Sequence, residues 1–243
     1  MTGLMPPTAF PAEPYCLAEV DLFRDLSRRE MAALGARAPM RTVPAGQVVF
    51  TPLQPAPVLF IVKRGRIRLY RIAPDGRSVT TAVLGPGTVF GEMDLLGLRM
   101  HGSWAEALDA SVLCLMSRTD VQELLFTDPR IVLRIAEQLS TRVADLEQRL
   151  TDLTSKDLTE RVAATLCQLA RHTPDEPIRL THQQLAALVG ATRERTTTAL
   201  GELAKHHLIH LRRGKIVLHD QLRLAALADG AQLSQSSPPR NAW

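Results

Sequence analysis

From Thr192 to Thr198 the chain reads T-R-E-R-T-T-T, a run of hydroxyls and alternating charges within the helix-like stretch VGATRERTTTALGELAKHHLI, Val189 to Ile209. Three β-branched residues in a row cost helix propensity, and a helix that needed only stability would carry Ala, Glu or Lys there. The side chains suit one kind of chemistry. Arg193 can donate two parallel hydrogen bonds to guanine O6 and N7, and Glu194 can accept from cytosine N4. Thr197 and Thr198 can meet a phosphate oxygen or a thymine methyl. Thr192 is placed to cap the helix and Arg195 lies in its first turn, where the N-terminal dipole also favours phosphate. Lys205, beside His206 and His207, and then Arg212, Arg213 and Lys215 around Gly214, are cations better suited to phosphates than to bases.

For these groups to act together, two short helices must meet. THQQLAALVG sets Thr181 and Gln184 at the spacing of a capping box, and Gly190 supplies a turn before the second helix begins at Thr192. Leu185, Val189, Leu200 and Leu203 then face inward, which is a helix-turn-helix, whose second helix enters the DNA major groove. IHLRRGKIVLH reads as two short strands about Gly214, a wing. A plain surface helix accounts for a charge run by itself. Cap, turn and wing together favour double-stranded DNA as the partner.

Upstream the hydrophobic period changes twice. From Met40 to about Ser117 short β-rich runs (QVVF, VLFIVKRGRIRLYRIA, SVTTAVL, SVLCLM) are punctuated by Gly and Pro, which predicts a small barrel or sandwich. Asp75-Gly76 reads as a two-residue hairpin turn between two of them. After TDPR, Val132, Ala136, Leu139, Val143, Leu146, Leu150 and Leu153 step alternately by four and three residues, an a/d seam of about three heptads. A helix from Arg130 to Lys156 would be roughly 40 Å long. With Asp145, Glu147 and Arg149 flanking the seam, it predicts a homodimer rather than a lone helix lying on its own domain.

The bulk properties allow this. The 243 residues are 45% hydrophobic and 22% charged, an ordinary globular composition, and the net charge of +4 permits an anionic partner without demanding one. The uncharged run from Val43 to Val62 is interrupted by Pro44, Pro52, Pro55 and Pro57, so no membrane span is expected. Cys16, Cys114 and Cys167 show no paired spacing, and no signal peptide is evident, which points to a reducing cytoplasm and no metal site. An enzyme finds no support: G-x-S-x-G, a Walker loop and H-E-x-x-H are all missing from the sequence.

In this order, β-rich sensor, long helix and winged helix-turn-helix resemble the bacterial regulators of the cyclic-AMP receptor protein and FNR family. GPGTVFGEMDLLG, DLTERVAATLCQLA and LTHQQLAALVGATRERTTTALGEL carry the resemblance, which spans about Leu22 to Leu222. It implies an α+β fold: a flexible N-terminus over 1–20, a jelly-roll-like β-roll sensor over 21–128, a dimerisation helix over 129–156, a winged helix-turn-helix over 157–227, and a disordered tail over 228–243. It also implies a homodimer on a two-fold operator and a contact with RNA polymerase. Arg193, Glu194, Thr197 and Thr198 fall where the family's base and phosphate contacts lie. Thr198 stands where many relatives carry Arg, which points to a different half-site.

The resemblance raises cyclic AMP as an effector, and the cassette disfavours it. Gly91 and Glu92 resemble the Gly-Glu pair that opens the family's phosphate-binding cassette. Alignment on Trp104 puts His101 and Gly102 where relatives carry Arg-Ser, in a loop one residue short. Neutral His and Gly are a poor substitute for a permanent cation, and Arg99 could reach in only if the loop rearranged. The helix positions that offer Thr-Ser to adenine in the cyclic-AMP receptor are here Leu146 and Glu147. Gly91 and Glu92 therefore read first as a tight barrel turn. No cofactor is marked either. An iron–sulfur branch needs an N-terminal Cys cluster and Cys16 stands alone, no residue pair marks a haem, and Cys114 and Cys167 read as packing. The small-molecule effector stays unassigned. The rival reading is a ligand- or redox-sensing protein that acts through protein contacts and carries a vestigial DNA domain. It predicts no salt-dependent association with duplex DNA.

Overall fold

The computed structural model describes residues 38–54, 57–170 and 177–231, together with Phe23, Ser27 and Arg29. The expected flexible N-terminus, most of the helical lead-in after it, Cys16, and the tail beyond 231 lie outside the described residues. The chain forms two compact units, Met1–Leu146 and Glu147–Trp243, whose boundary falls inside the long helix rather than at either of its ends.

Among its described residues the first unit contains eight strands: β1 (Met40–Val43), β2 (Val48–Phe50), β3 (Val58–Arg64), β4 (Ile67–Ile72), β5 (Ser78–Leu84), β6 (Val89–Gly91), β7 (Trp104–Ala107) and β8 (Ser111–Ser117). They form two antiparallel four-stranded sheets, ordered β1-β8-β3-β6 and β2-β7-β4-β5. The pleat explains why VLFIV is apolar at every position. Phe60 and Val62 point between the sheets, where they join Ile67, Leu69, Leu84 and Leu113, and the Phe60 and Phe90 rings stack 4.9 Å apart. Leu59 and Ile61 point the other way, into a second core with Cys114, Met116, Val121, Leu124, Ile131 and Ile135. A strand covered on both faces loses the polar half of its alternation. Cys114 is 1% exposed and belongs to that core, as expected.

The hairpin between β4 and β5 corrects one expectation. Gly76 N–H donates to Ala73 O at 2.9 Å, and Ala73 N–H to Arg77 O at 2.8 Å, so the loop has three residues, Pro74, Asp75 and Gly76. A two-residue type I′ turn would need positive φ at Asp75; only Gly76 adopts it, at φ 80. Pro74, locked near −65°, suits the second position of a type I turn, after which the glycine closes the bulge.

Helix α1 (Arg118–Thr127) begins at a capping box between Ser117 and Asp120, and α2 (Arg130–Ser155) follows Pro129. Early in α2, Ile131 and Ile135 enter the second core, and Leu139 packs against it. Leu139, expected in the seam, therefore also borders the sensor-facing stripe. The rest of the seam is open, with Val143, Leu146, Leu150 and Leu153 at 54, 37, 66 and 49% exposure.

The second unit holds the end of α2 and then α3 (Leu158–Ala170), α4 (His182–Val189), α5 (Arg193–Lys205), the hairpin β9 (Ile209–Arg212) and β10 (Lys215–Leu218), and α6 (Gln221–Ala228). Val162, Leu166, Leu185, Val189, Leu200, Leu203 and Leu224 are buried, each at 2% exposure or less, on the inward stripes of their helices. The wing is as expected; α6, packed against α3, was not read from the sequence. No helix among the described residues is long and apolar enough to cross a membrane.

Candidate nucleic-acid interface

Helices α4 and α5 are joined by 190–192. Thr181 and Gln184 form the capping box that starts α4, and Gly190, at φ 67, ends it. Thr192 then caps α5, its hydroxyl accepting from Arg195 N–H at 3.4 Å. The threonine block is tolerated because each hydroxyl returns to the helix. Thr196 donates to Thr192 O at 2.9 Å, Thr197 to Arg193 O at 2.8 Å, and Thr198 to Glu194 O at 3.2 Å. Thr196 is fully buried with Ala199, Leu200 and Leu203, whereas Thr197 and Thr198 are exposed. The three consecutive threonines therefore divide between fold and surface.

Arg193, Glu194 and Arg195 are exposed in the first turn of α5. The Glu194 carboxylate accepts from its own backbone N–H and from the Thr192 hydroxyl, and with Arg193 nearby these hold its pKa below the ordinary glutamate value. Arg193 lines a hollow of about 460 Å³ together with Arg212, Lys215 and Gly214 of the wing and Thr181, His182 and Gln183 at the start of α4. Three cations and the N-terminal end of a helix thus surround one space, an arrangement that attracts phosphate. The sequence carries no local signal for His182 and Gln183, which stand between the two capping residues. Arg213 is exposed beside the hollow at the hairpin tip. Lys205 is not brought to this end: it is exposed in the last turn of α5, roughly 18 Å along the axis from Arg193, where it opposes the C-terminal dipole.

In the first unit, Glu92, Arg99, His101 and Gly102 line a second hollow of about 510 Å³, with Phe50, Pro52, Pro57, Asp94 and Met100. Gly91 is buried next to it at φ 126, and a Cβ there would overlap Val58 O, so only glycine fits the strand end. Glu92 accepts the Met100 N–H at 2.8 Å, so its carboxylate ties the loop back on itself. Arg99 is ion-paired with Asp94 at 2.9 Å. His101 and Gly102, at φ 45 and 77, are the central residues of a tight turn closed by Ser103 N–H to Met100 O at 2.8 Å. Two successive positive φ values are the pattern of a type I′ turn, which lets a shorter loop reach β7.

Two α2 residues facing this unit were also missed. Gln138 receives Val89 N–H at 3.3 Å and donates to Gly87 O at 2.8 Å, pinning the helix to the β5–β6 connection. One turn on, burial pushes the Arg142 guanidinium below the ordinary arginine value. Neither was legible, because the a/d pattern draws attention to the seam and away from the polar positions beside it.

A cyclic nucleotide-binding domain model matches residues 40–128, and a Crp-like helix-turn-helix domain model matches 160–227. The chain is 29% identical over 219 residues to a CRP-like cAMP-activated global transcriptional regulator of Mycobacterium tuberculosis, covering 87% of this chain and 98% of that protein. It is 30% identical over 204 residues to the probable transcriptional regulator flp of Lacticaseibacillus casei, covering 83% and 92%. The crystal structure of a CRP/FNR-family transcriptional regulator from Thermus thermophilus superposes with a TM-score of 0.66 at 30% identity, over 78% of this chain and 98% of that one. With a sensor-type β domain, a long helix and a helix-turn-helix in the same order, the chain belongs to the CRP/FNR family of DNA-binding transcriptional regulators.

Proposed function

We propose that the protein is a homodimeric, sequence-specific regulator in which a signal received by the β-roll repositions two recognition helices on a two-fold DNA site. The hollow that gathers Arg193, Arg212 and Lys215 about the start of α4 is the observation that best supports it. The open seam of Val143, Leu146, Leu150 and Leu153 supports pairing with a second copy. The break between α2 and α3 at Lys156 and Asp157 is a suitable hinge for setting the recognition helices about one DNA turn, ~34 Å, apart. The resemblance to the family supports a contact with RNA polymerase, and a DNA partner supports a cytoplasmic location. The Mycobacterium tuberculosis relative is named as activated by cyclic AMP. Here Glu92 and Arg99 are already engaged and His101 and Gly102 stand where the cassette would carry Arg-Ser, so the effector we propose is not cyclic AMP, or the dimer is competent without one.

Titrating a fluorescent duplex with the protein at salt concentrations from about 50 to 200 mM tests the reading, since release of counterions makes affinity fall steeply over that range. A steep fall supports a DNA-bound dimer. Affinity absent or flat with salt would favour the rival, a sensor that works through protein contacts.

A further inference from the structure

Gly201 occupies the interior of α5, where glycine is destabilising relative to alanine because it loses more backbone freedom on folding. Among the described residues no contact explains it. Its backbone is not among the glycines at positive φ, and a Cβ built on it meets no atom within 4 Å outside its own helix backbone and chain neighbours. Its place on the helix is informative. Thr196, Ala199, Leu200 and Leu203 form the buried stripe. Glu194, Thr198, Gly201 and Lys205, spaced four, three and four residues apart, form the stripe diametrically opposite, and the other three are exposed. Gly201, itself half-buried, thus lies within the face turned away from the core, on the helix whose first turn carries Arg193 beside the wing cations.

We propose that Gly201 sets how deeply α5 seats against DNA: it is the point where the helix backbone approaches the duplex too closely for a side chain. This rests on the DNA-binding reading and deepens it by naming a residue that positions the recognition helix without itself contacting a base through a side chain. The short Thr198 side chain, one turn before, fits the same close approach. A surface glycine with no partner would gain from every larger residue; a glycine under a docked duplex would gain in the free protein and lose in the complex.

The test uses the full-length protein and a duplex of about three DNA turns selected from a random pool by the wild-type protein. Gly201→Ala is expected to raise the melting temperature, by about 2–4 °C for a chain of this size, while weakening binding to the selected duplex at least tenfold. Gly201→Lys adds a cation, which charge alone predicts would tighten binding, yet it is expected to bind more weakly than wild type. Gly201→Ala that melts higher and binds equally well or better overturns the proposal, as does a lowered melting temperature, which would make the glycine a requirement of the fold. Failure of the wild-type protein itself to bind duplex in a salt-dependent way would remove the underlying reading and the proposal with it, and that result is visible without either variant.

Discussion

His182 Nδ1 lies 2.9 Å from Thr197 Oγ1, joining the first residue of α4 to the exposed side of α5. The Thr197 hydroxyl also donates to Arg193 O at 2.8 Å. His182 also lines the cationic hollow. One hydrogen bond thereby orients a recognition-helix threonine and a histidine beside Arg193.

Replacing His182 by Ala is expected to weaken DNA binding severalfold and to about the same extent on every sequence, if the wing cations Arg212 and Lys215 beside it meet phosphates rather than bases. Anisotropy titrations on two unrelated duplexes check this. A loss confined to the preferred duplex would mean that His182 acts through Thr197 on a base.

Arg193→Ala is expected to relax base preference, costing about 1–3 kcal/mol at the preferred site and less elsewhere. Affinities for a set of single-base variants of that site measure it. An even loss across the set would assign Arg193 to phosphate alongside Arg212 and Lys215.

Leu146→Lys and Leu150→Lys put charge on a seam that is 37 and 66% exposed in the single chain, so each subunit should fold normally. Sedimentation is expected to show monomers, and DNA affinity should fall although no DNA contact has been touched. A variant that remains dimeric and binds DNA as before would sink the dependence on helix spacing.

Gly91→Ala is expected to destabilise the β-roll. Its φ of 126 is open to glycine alone, and the new Cβ would meet the Val58 carbonyl across the β3–β6 pair. Strain of this kind costs about 1–3 kcal/mol before the overlap is counted, and thermal unfolding followed by circular dichroism should show it. Wild-type stability would mean that β6 can shift away from β3.

Calorimetric titration with cyclic AMP up to millimolar ligand is expected to give no saturable heat. The Glu92 carboxylate holds the Met100 amide, Arg99 is paired with Asp94, and a tight turn replaces the loop that would present a cation. Binding at one site per subunit would instead require a recruited cation, and Arg142→Gln and Arg99→Gln would identify which.

The sequence alone determined the helix-turn-helix, because its signals are local. Thr181, Gln184, Gly190 and Thr192 cap and turn the chain by bonds to residues within a few positions, and the buried leucines repeat at the helical period. The apolar stripe along α2 and the β-rich character of the first unit were legible for the same reason. Tertiary structure decided what depends on neighbours distant in the chain. It turned Leu139 partly onto the sensor core, set His182 beside Thr197, and gathered Arg193, Arg212 and Lys215 around one hollow. It also committed the Glu92 carboxylate to its own loop. Pro74 shows how narrow the margin can be: Asp75-Gly76 predicts a two-residue turn, and the preceding ring, with its φ locked, makes it three. A cap or a helical stripe is satisfied within a turn of helix, whereas a site is made by side chains whose positions only the packed backbone can fix.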